Sequence, residues 1–253
     1  MHLLIGNLED DLVAQIYMYF ESRSYPTMIV SEEMLFNQSQ FALIQNNIEI
    51  QGYIFTNGIN IPFQELSSVY VRPRRSWTPS NEFDDEDHEF VFHETIAAWV
   101  SLLSSLPCPV VNRFDLGWWL GDPVYLLNLR NHIASLINID SKLSEYQDEK
   151  IVCSKSYNDP ICNASIYLAG KQLIPQSNLS ANLLMPIEQY RSVLFDWQRA
   201  TQTWLIRLDF VLTPHLSLVN VEPFPNLNEE SPELTKDIVM SLTEILYDTN
   251  CWF

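Results

Sequence analysis

Hydrophobic and polar positions follow two different periods within the first thirty residues. His2-Leu3-Leu4-Ile5 is a short apolar run that stops at Gly6. Leu12, Ile16, Tyr19 and Phe20 then recur at helical spacing. Tyr25-Pro26 breaks that pattern before a second apolar run at residues 27–30. A strand, a helix and a strand in this order predict the opening of an α/β sheet with parallel neighbours. Residues 40–63 read as short strands with turn signals at Gln51-Gly52 and Asn57-Gly58. Val69-Tyr70-Val71 is a further strand that runs into Arg72-Pro73-Arg74-Arg75.

Residues 82–89 hold six acids in eight positions and read as an acidic loop. Helical spacing returns over 90–106, Val110-Val111-Asn112 has the apolar density of a buried strand, and 126–139 reads as a helix. The polar stretch 142–149 divides a first domain, 1–140, from a second, 150–253. In the second, 151–155 and 164–173 read as strands. Residues 187–204 form an amphipathic helix with Tyr190, Leu194, Trp197 and Trp204 as its core stripe. Two strands, 205–212 and 216–221, surround a Thr213-Pro214-His215 turn, and a last helix covers 232–247.

Charge narrows the partners. Thirty-two acids against fourteen bases give a formal charge of -18. Nucleic acid and anionic membrane surfaces need clustered Lys and Arg, so they are not the expected partners, whereas a basic protein segment would be attracted. No apolar run reaches the roughly 18 residues needed to span a bilayer. The start lacks the basic and apolar regions of a signal peptide, which predicts a cytoplasmic protein. Cys108, Cys153, Cys162 and Cys251 form no CxxC pair and read as reduced thiols.

The hairpin at 205–222 carries the most chemistry. Ile206, Leu208, Phe210 and Leu212 alternate with Arg207 and Asp209, and Asn220 and Glu222 share a face of the returning strand. In the register that buries Val219 and Val221, all four polar groups meet on one surface. Two facing carboxylates repel unless a cation lies between them. Oxygen pairs of this kind suit Mg2+ beside substrate phosphates; the alternative is an ordinary polar face on which Arg207 neutralises an acid. Arg72, Arg74 and Arg75 follow a strand end. They would either dock an anion through bidentate hydrogen bonds or hold the acids at 82–89 in ion pairs. His88 and His93 lie five residues apart, which does not place both on one helical face, and they read as part of a solvated loop. Only six glycines occur, with Gly170 alone after Gly121, and no GxGxxG or GxxxxGK[ST] pattern is present.

Several of these segments, in this order, resemble the ATP-grasp ligases related to the graspetide (microviridin-type) peptide-macrocyclising enzymes. They are Leu3-Leu4-Ile5 with Glu9-Asp10-Asp11; Ser68-Val69-Tyr70-Val71-Arg72-Pro73; Val110-Val111-Asn112-Arg113 with Asp122-Pro123-Val124-Tyr125; residues 164–174; and Leu208-Asp209-Phe210 with Val221-Glu222-Pro223-Phe224-Pro225. The resemblance implies a pre-ATP-grasp-like α/β domain followed by a reduced ATP-grasp-like α+β domain with an antiparallel sheet. In such enzymes an acid, a Glu and an Asn two residues later hold Mg2+-ATP. Asp209 and Glu222 match the first two positions, Phe224 stands at the Asn position, and Asn226 lies two residues too far along. Lys155 matches one nucleotide-contacting lysine, and Arg207 is the other candidate cofactor contact. Only the eight residues 156–163 separate Lys155 from the next strand, too few for both a phosphate loop and an adenine hinge.

Three functions follow. The first is a non-catalytic ATP-grasp-like protein that needs no cofactor, binds a peptide or protein, and regulates or pairs with an active ligase as a homo- or heterodimer. The second is a minimal ATP-dependent carboxylate–amine ligase, with Asp209 and Glu222 on Mg2+ and Arg72 or Arg75 on an acyl phosphate. The third is an acidic α/β assembly protein that recruits a basic partner.

Overall fold

The computed structural model describes residues 1–45, 50–72, 85–113, 122–141, 164–176, 185, 187–211, 216–227 and 230–247. The opening forms as its pattern predicts. Strands β1 (His2–Ile5) and β2 (Thr27–Val30), connected through helix α1 (Asp11–Glu21), pair in parallel with His2 opposite Thr27. Asp10 is the N-cap of α1; its Oδ1 accepts from the backbone N–H of Leu12 and Val13 at 3.1 and 3.3 Å. β6 (Ser68–Val71) and the short β7 (Val110–Val111) complete a four-stranded sheet in the order β2-β1-β6-β7, in which all pairs are parallel.

Between β2 and β6 lie helix α2 (Glu32–Gln38) and a three-stranded antiparallel meander, β3 (Gln40–Gln45), β4 (Ile50–Thr56) and β5 (Ile59–Pro62). Asn57-Gly58 is the β4–β5 turn, with φ of 50° and 73°. Gln51-Gly52 is not a turn; both residues lie inside β4. Gly52 answers a different need. A Cβ there would come within 2.5 Å of the Phe63 ring, so its absence lets that ring pack under the sheet.

Helix α3 (Asp85–Ser105) starts inside the run expected to be an acidic loop, and it carries His88 and His93 as well. Acids at a helix N-terminus meet the positive end of the backbone dipole, so this charge density favours a helix start. Helix α4 (Pro123–Leu136) begins three residues before the expected 126, with Asp122 as N-cap and Pro123 at its first position. Helix α5 (Arg191–Thr201) is shorter than 187–204, and Trp204 leads into the next strand instead. Of the expected stripe, Leu194, Trp197 and Trp204 are buried and Tyr190 is half-buried.

The closing sheet has the order β10-β9-β11-β12-β8, from β8 (Asp140–Ser141), β9 (Ala164–Ala169), β10 (Gln172–Pro175), β11 (Leu205–Val211) and β12 (Ser217–Glu222). β9 to β12 pair antiparallel, and β8 joins β12 in parallel. Helix α6 (Pro232–Tyr247) packs against α1, β6, β9 and β10. Alternate residues of both main sheets enter two hydrophobic clusters. Leu3, Ile5, Val69, Ile166, Ile206 and Leu208 lie in one. Leu4, Tyr70, Tyr167 and Leu205 lie in the other, beneath α1 and α6. Both faces of the parallel sheet are thus covered, as such sheets require. The 142–149 boundary, the 151–155 strand and the 213–215 turn lie outside the described residues.

Candidate functional site: a polar patch centred on Arg207

Strand β11 lies between β9 and β12, and its register builds the candidate site from two cross-strand rows. Tyr167, Arg207 and Glu222 form one row; Ser165, Asp209 and Asn220 form the next. The four polar residues of the hairpin therefore share one surface, as their alternation predicts. A bulge modifies the rest of the expectation. The register shifts after Asp209, so that Phe210 faces Leu218. Val221 is buried, but Leu218 takes the core position expected for Val219, which is half-buried.

The cation between the carboxylates is Arg207. Its Nε and Nη2 donate to Oδ1 and Oδ2 of Asp209 at 2.8 and 3.0 Å, and its Nη1 lies 3.3 Å from Oε2 of Glu222. Ser165 Oγ donates to Asp209 Oδ1 at 2.6 Å, and Asn220 Nδ2 donates to Oδ2 at 2.9 Å. Each oxygen of Asp209 thus accepts two hydrogen bonds, which fills the roughly four lone-pair positions of a carboxylate. Glu222 also accepts from the backbone N–H of Asn226. Burial raises the Glu222 pKa, and the nearby Asp209 charge adds to this against the opposing pull of Arg207. For Arg207, burial disfavours the charged form, but Asp209 and Glu222 outweigh it and its pKa rises.

This donor set does not fit Mg2+ as it stands. A magnesium ion needs a near-octahedral shell of oxygens. Here Asp209 has no oxygen lone pair left over, a guanidinium already lies between the two acids, and Phe224 packs against the core without a coordinating atom. Among the described residues, no group of three or more His, Cys, Asp and Glu side chains could hold a metal ion.

Arg72 lies near enough for its charge to pull the Glu222 pKa down, but it is not an open anion contact. It is buried and ties three segments together: Nε pairs with Asp10 Oδ2 at 3.0 Å, and Nη2 donates to the carbonyl of Pro225 at 2.6 Å. Its ion-pair partner is thus the N-cap of α1; residues 82–84 of the acidic run lie outside the described residues. Nη1 of Arg72 and the buried hydroxyl of Tyr70 have no partner among the described residues. Arg75 and Lys155 lie outside the described residues.

Three supporting groups were given no role at the site by sequence. Asn112 uses its whole amide: Nδ2 donates to the carbonyls of Leu205 and Pro223 at 2.8 and 3.1 Å, and Oδ1 accepts from the N–H of Trp204 and Leu205 at 2.8 and 2.7 Å. It thereby fixes the start of β11 against the end of β12. Ser165 and Tyr167 sit in a strand that reads as uniformly buried, but they alternate with Ile166 and Leu168, and that period of two was the available signal. Tyr167 also donates to Glu230 at 2.8 Å, and Gln176 donates to the other oxygen of Glu230 at 2.9 Å. The Tyr167 pKa is pushed up, by burial first and by Glu230 second.

A groove of about 580 Å³ lies elsewhere, between α3, α4 and α5, lined by Arg113, Tyr125, Asn128, His132 and Trp197 among others. Among the described residues no helix is long and apolar enough to cross a membrane.

The four-stranded parallel sheet and the five-stranded closing sheet make an ATP-grasp-like fold. By sequence, no family model and no curated protein matches the chain. By structure, it is similar to the macrocyclase MdnC from Microcystis aeruginosa MRC, bound with precursor peptide MdnA, with a TM-score of 0.66 and 13% identity over 96% of this chain and 100% of that one. It is similar as well to a RiPP-associated ATP-grasp ligase from Chryseobacterium gregarium in complex with ADP and a leader and core peptide (TM-score 0.63, 10% identity, 96% of each chain). A third such structure is the macrocyclase MdnB from Microcystis aeruginosa MRC, with a TM-score of 0.56, 14% identity, and coverage of 97% of this chain and 98% of that chain.

Proposed function

We propose that this chain is a non-catalytic ATP-grasp-like protein that binds a peptide or protein partner, regulating or pairing with an active ligase. One observation carries this reading. Arg207 occupies the space between the two acids, and every lone pair of Asp209 already has a donor. Phe224 adds a ring where a third oxygen would be needed. The similar structures bound with peptides support the peptide partner. The groove beside Trp197 offers such a partner aromatic, imidazole and amide groups.

The competing reading is an ATP-dependent carboxylate–amine ligase. It is supported by the fold shared with peptide ligases and by the unpartnered Nη1 of Arg72. Following ADP release from Mg2+-ATP over time decides between them. The non-catalytic reading predicts a rate no higher than that of Glu222→Ala. Turnover that falls at least about tenfold on that substitution, a loss of about 1.4 kcal/mol or more in transition-state stabilisation, establishes the ligase instead.

A further inference from the structure

The groove between α3, α4 and α5 departs from the acidic character of the chain. Its floor is apolar: Val100 of α3, Leu129 of α4 and Trp197 of α5 are all buried. Among its described lining residues there is no acid, in a protein that carries 32, and Arg113 and His132 bring a guanidinium and an imidazole. The acids on and beside α5 are already paired, Asp196 with Arg199 and Glu188 with Arg191. Arg113 is held firmly and has no counter-charge. Its backbone N–H donates to the carbonyl of Gln202 at 3.1 Å, between α5 and β11. Its Nη1 donates to the carbonyl of Ser104 at 3.0 Å, and its Nη2 to those of Leu106 and Cys108 at 2.8 and 3.2 Å, where α3 ends. Nε is buried and has no acceptor among the described residues. These carbonyls orient the guanidinium, but none is an anion. Burial lowers the Arg113 pKa, and no carboxylate among the described residues opposes it, whereas at Arg207 two acids reverse the effect of burial.

We propose that this groove takes an acidic segment of the partner, with an apolar or aromatic side chain over Trp197 and a neighbouring carboxylate bound by Arg113 and His132. The inference rests on the reading of the chain as a peptide-binding protein and names the chemistry of what it binds. Charge selects that chemistry. A net charge of -18 attracts a basic partner at long range. At physiological salt, however, charges farther apart than about 8 Å are largely screened, so contacts inside the groove decide the fit. There a Lys or Arg meets the charge of Arg113 and finds no acid among the described lining residues. A carboxylate instead meets a guanidinium whose freedom is already spent on the end of α3, so little further ordering opposes the contact.

Selection of a random peptide library, displayed on phage, against the full chain tests this without presuming a sequence. The chain is expected to enrich peptides in which Asp or Glu lies beside an apolar or aromatic residue. One such peptide, followed by fluorescence anisotropy, should lose at least about tenfold in affinity when its acid is replaced by the matching amide. Arg113→Gln should bind the acid and amide forms equally. Because Arg113 also holds the end of α3, His132→Glu supplies a second variant at an exposed position. It sets an acid in the groove, and it should weaken the acidic peptide at least about tenfold and the amide form less, with melting unchanged. Selected peptides that lack acids or are rich in Lys and Arg overturn the proposal and leave the peptide-binding reading standing. So do acidic peptides that His132→Glu binds as well as the unaltered chain does. A library that yields no binder at all overturns both.

Discussion

Arg207 lies two residues before the acid it neutralises, and this spacing on one strand lets the guanidinium fork close over the Asp209 carboxylate. Replacing it leaves two carboxylates facing each other with no cation. Arg207→Ala is therefore expected to lose about 2–3 kcal/mol in a denaturant titration, less than for a fully buried pair because 22% of the Arg207 side chain and 35% of that of Glu222 remain accessible to solvent. Millimolar Mg2+ should restore part of that loss in the variant and leave the melting of the wild-type chain unchanged; stabilisation of the wild-type chain by Mg2+ would contradict the fit argued above. Asn112 is a second test at this scale. Removal of its amide strands two carbonyls and two N–H groups in a buried place, so Asn112→Ala should cost about 2–4 kcal/mol. The polar face of the hairpin was legible in the alternation of Arg207, Asp209, Asn220 and Glu222. Its completion by Ser165 and Tyr167 was not, because pairing between distant strands is set by tertiary packing.

Elements with one strong period were the most legible. β1–α1–β2 and α6 lie where apolar spacing puts them, and α6 spans the predicted 232–247. Errors arose where one residue type serves two purposes. Gly52 makes room for Phe63, whereas Gly58 supplies a turn, and the sequence shows only glycine at both. Gly170 does both: its φ is 56°, and a Cβ would lie 2.5 Å from the Ser241 carbonyl on α6. Gly170→Ala should destabilise by about 1–2 kcal/mol and loosen the β9–β10 turn from that helix, as hydrogen exchange would show. β1 carries a pH dependence. His2 is buried, stacks on Phe20 at 4.3 Å and has Nδ1 2.8 Å from Ser68 Oγ; burial first, and the N-terminal charge second, lower its pKa from 6.5 to about 4. The unfolded chain therefore binds the proton first. The contribution of neutral His2 is complete above pH 6.5 and is lost as pH falls toward 4. Melting curves of wild type and His2→Asn should converge over that interval; a constant difference would refute this assignment.

At the scale of the whole molecule, the order of weak motifs along the chain identified a fold that no family model recognises and that solved peptide ligases share over nearly the full length. The fold was legible because it depends on which elements occur and in what order. The state of the site was less so. Phe224 and the short 156–163 segment pointed to impaired nucleotide binding, but only the fold brings Arg207 onto Asp209 and close to Glu222, and Arg72 onto Asp10 and Pro225. Calorimetric titration of the full chain with Mg2+-ATP tests the central claim most directly. The structure predicts no heat of binding at micromolar to high-micromolar nucleotide, in the wild-type chain and in Glu222→Ala alike. Micromolar affinity in the wild-type chain that disappears in Glu222→Ala would contradict it.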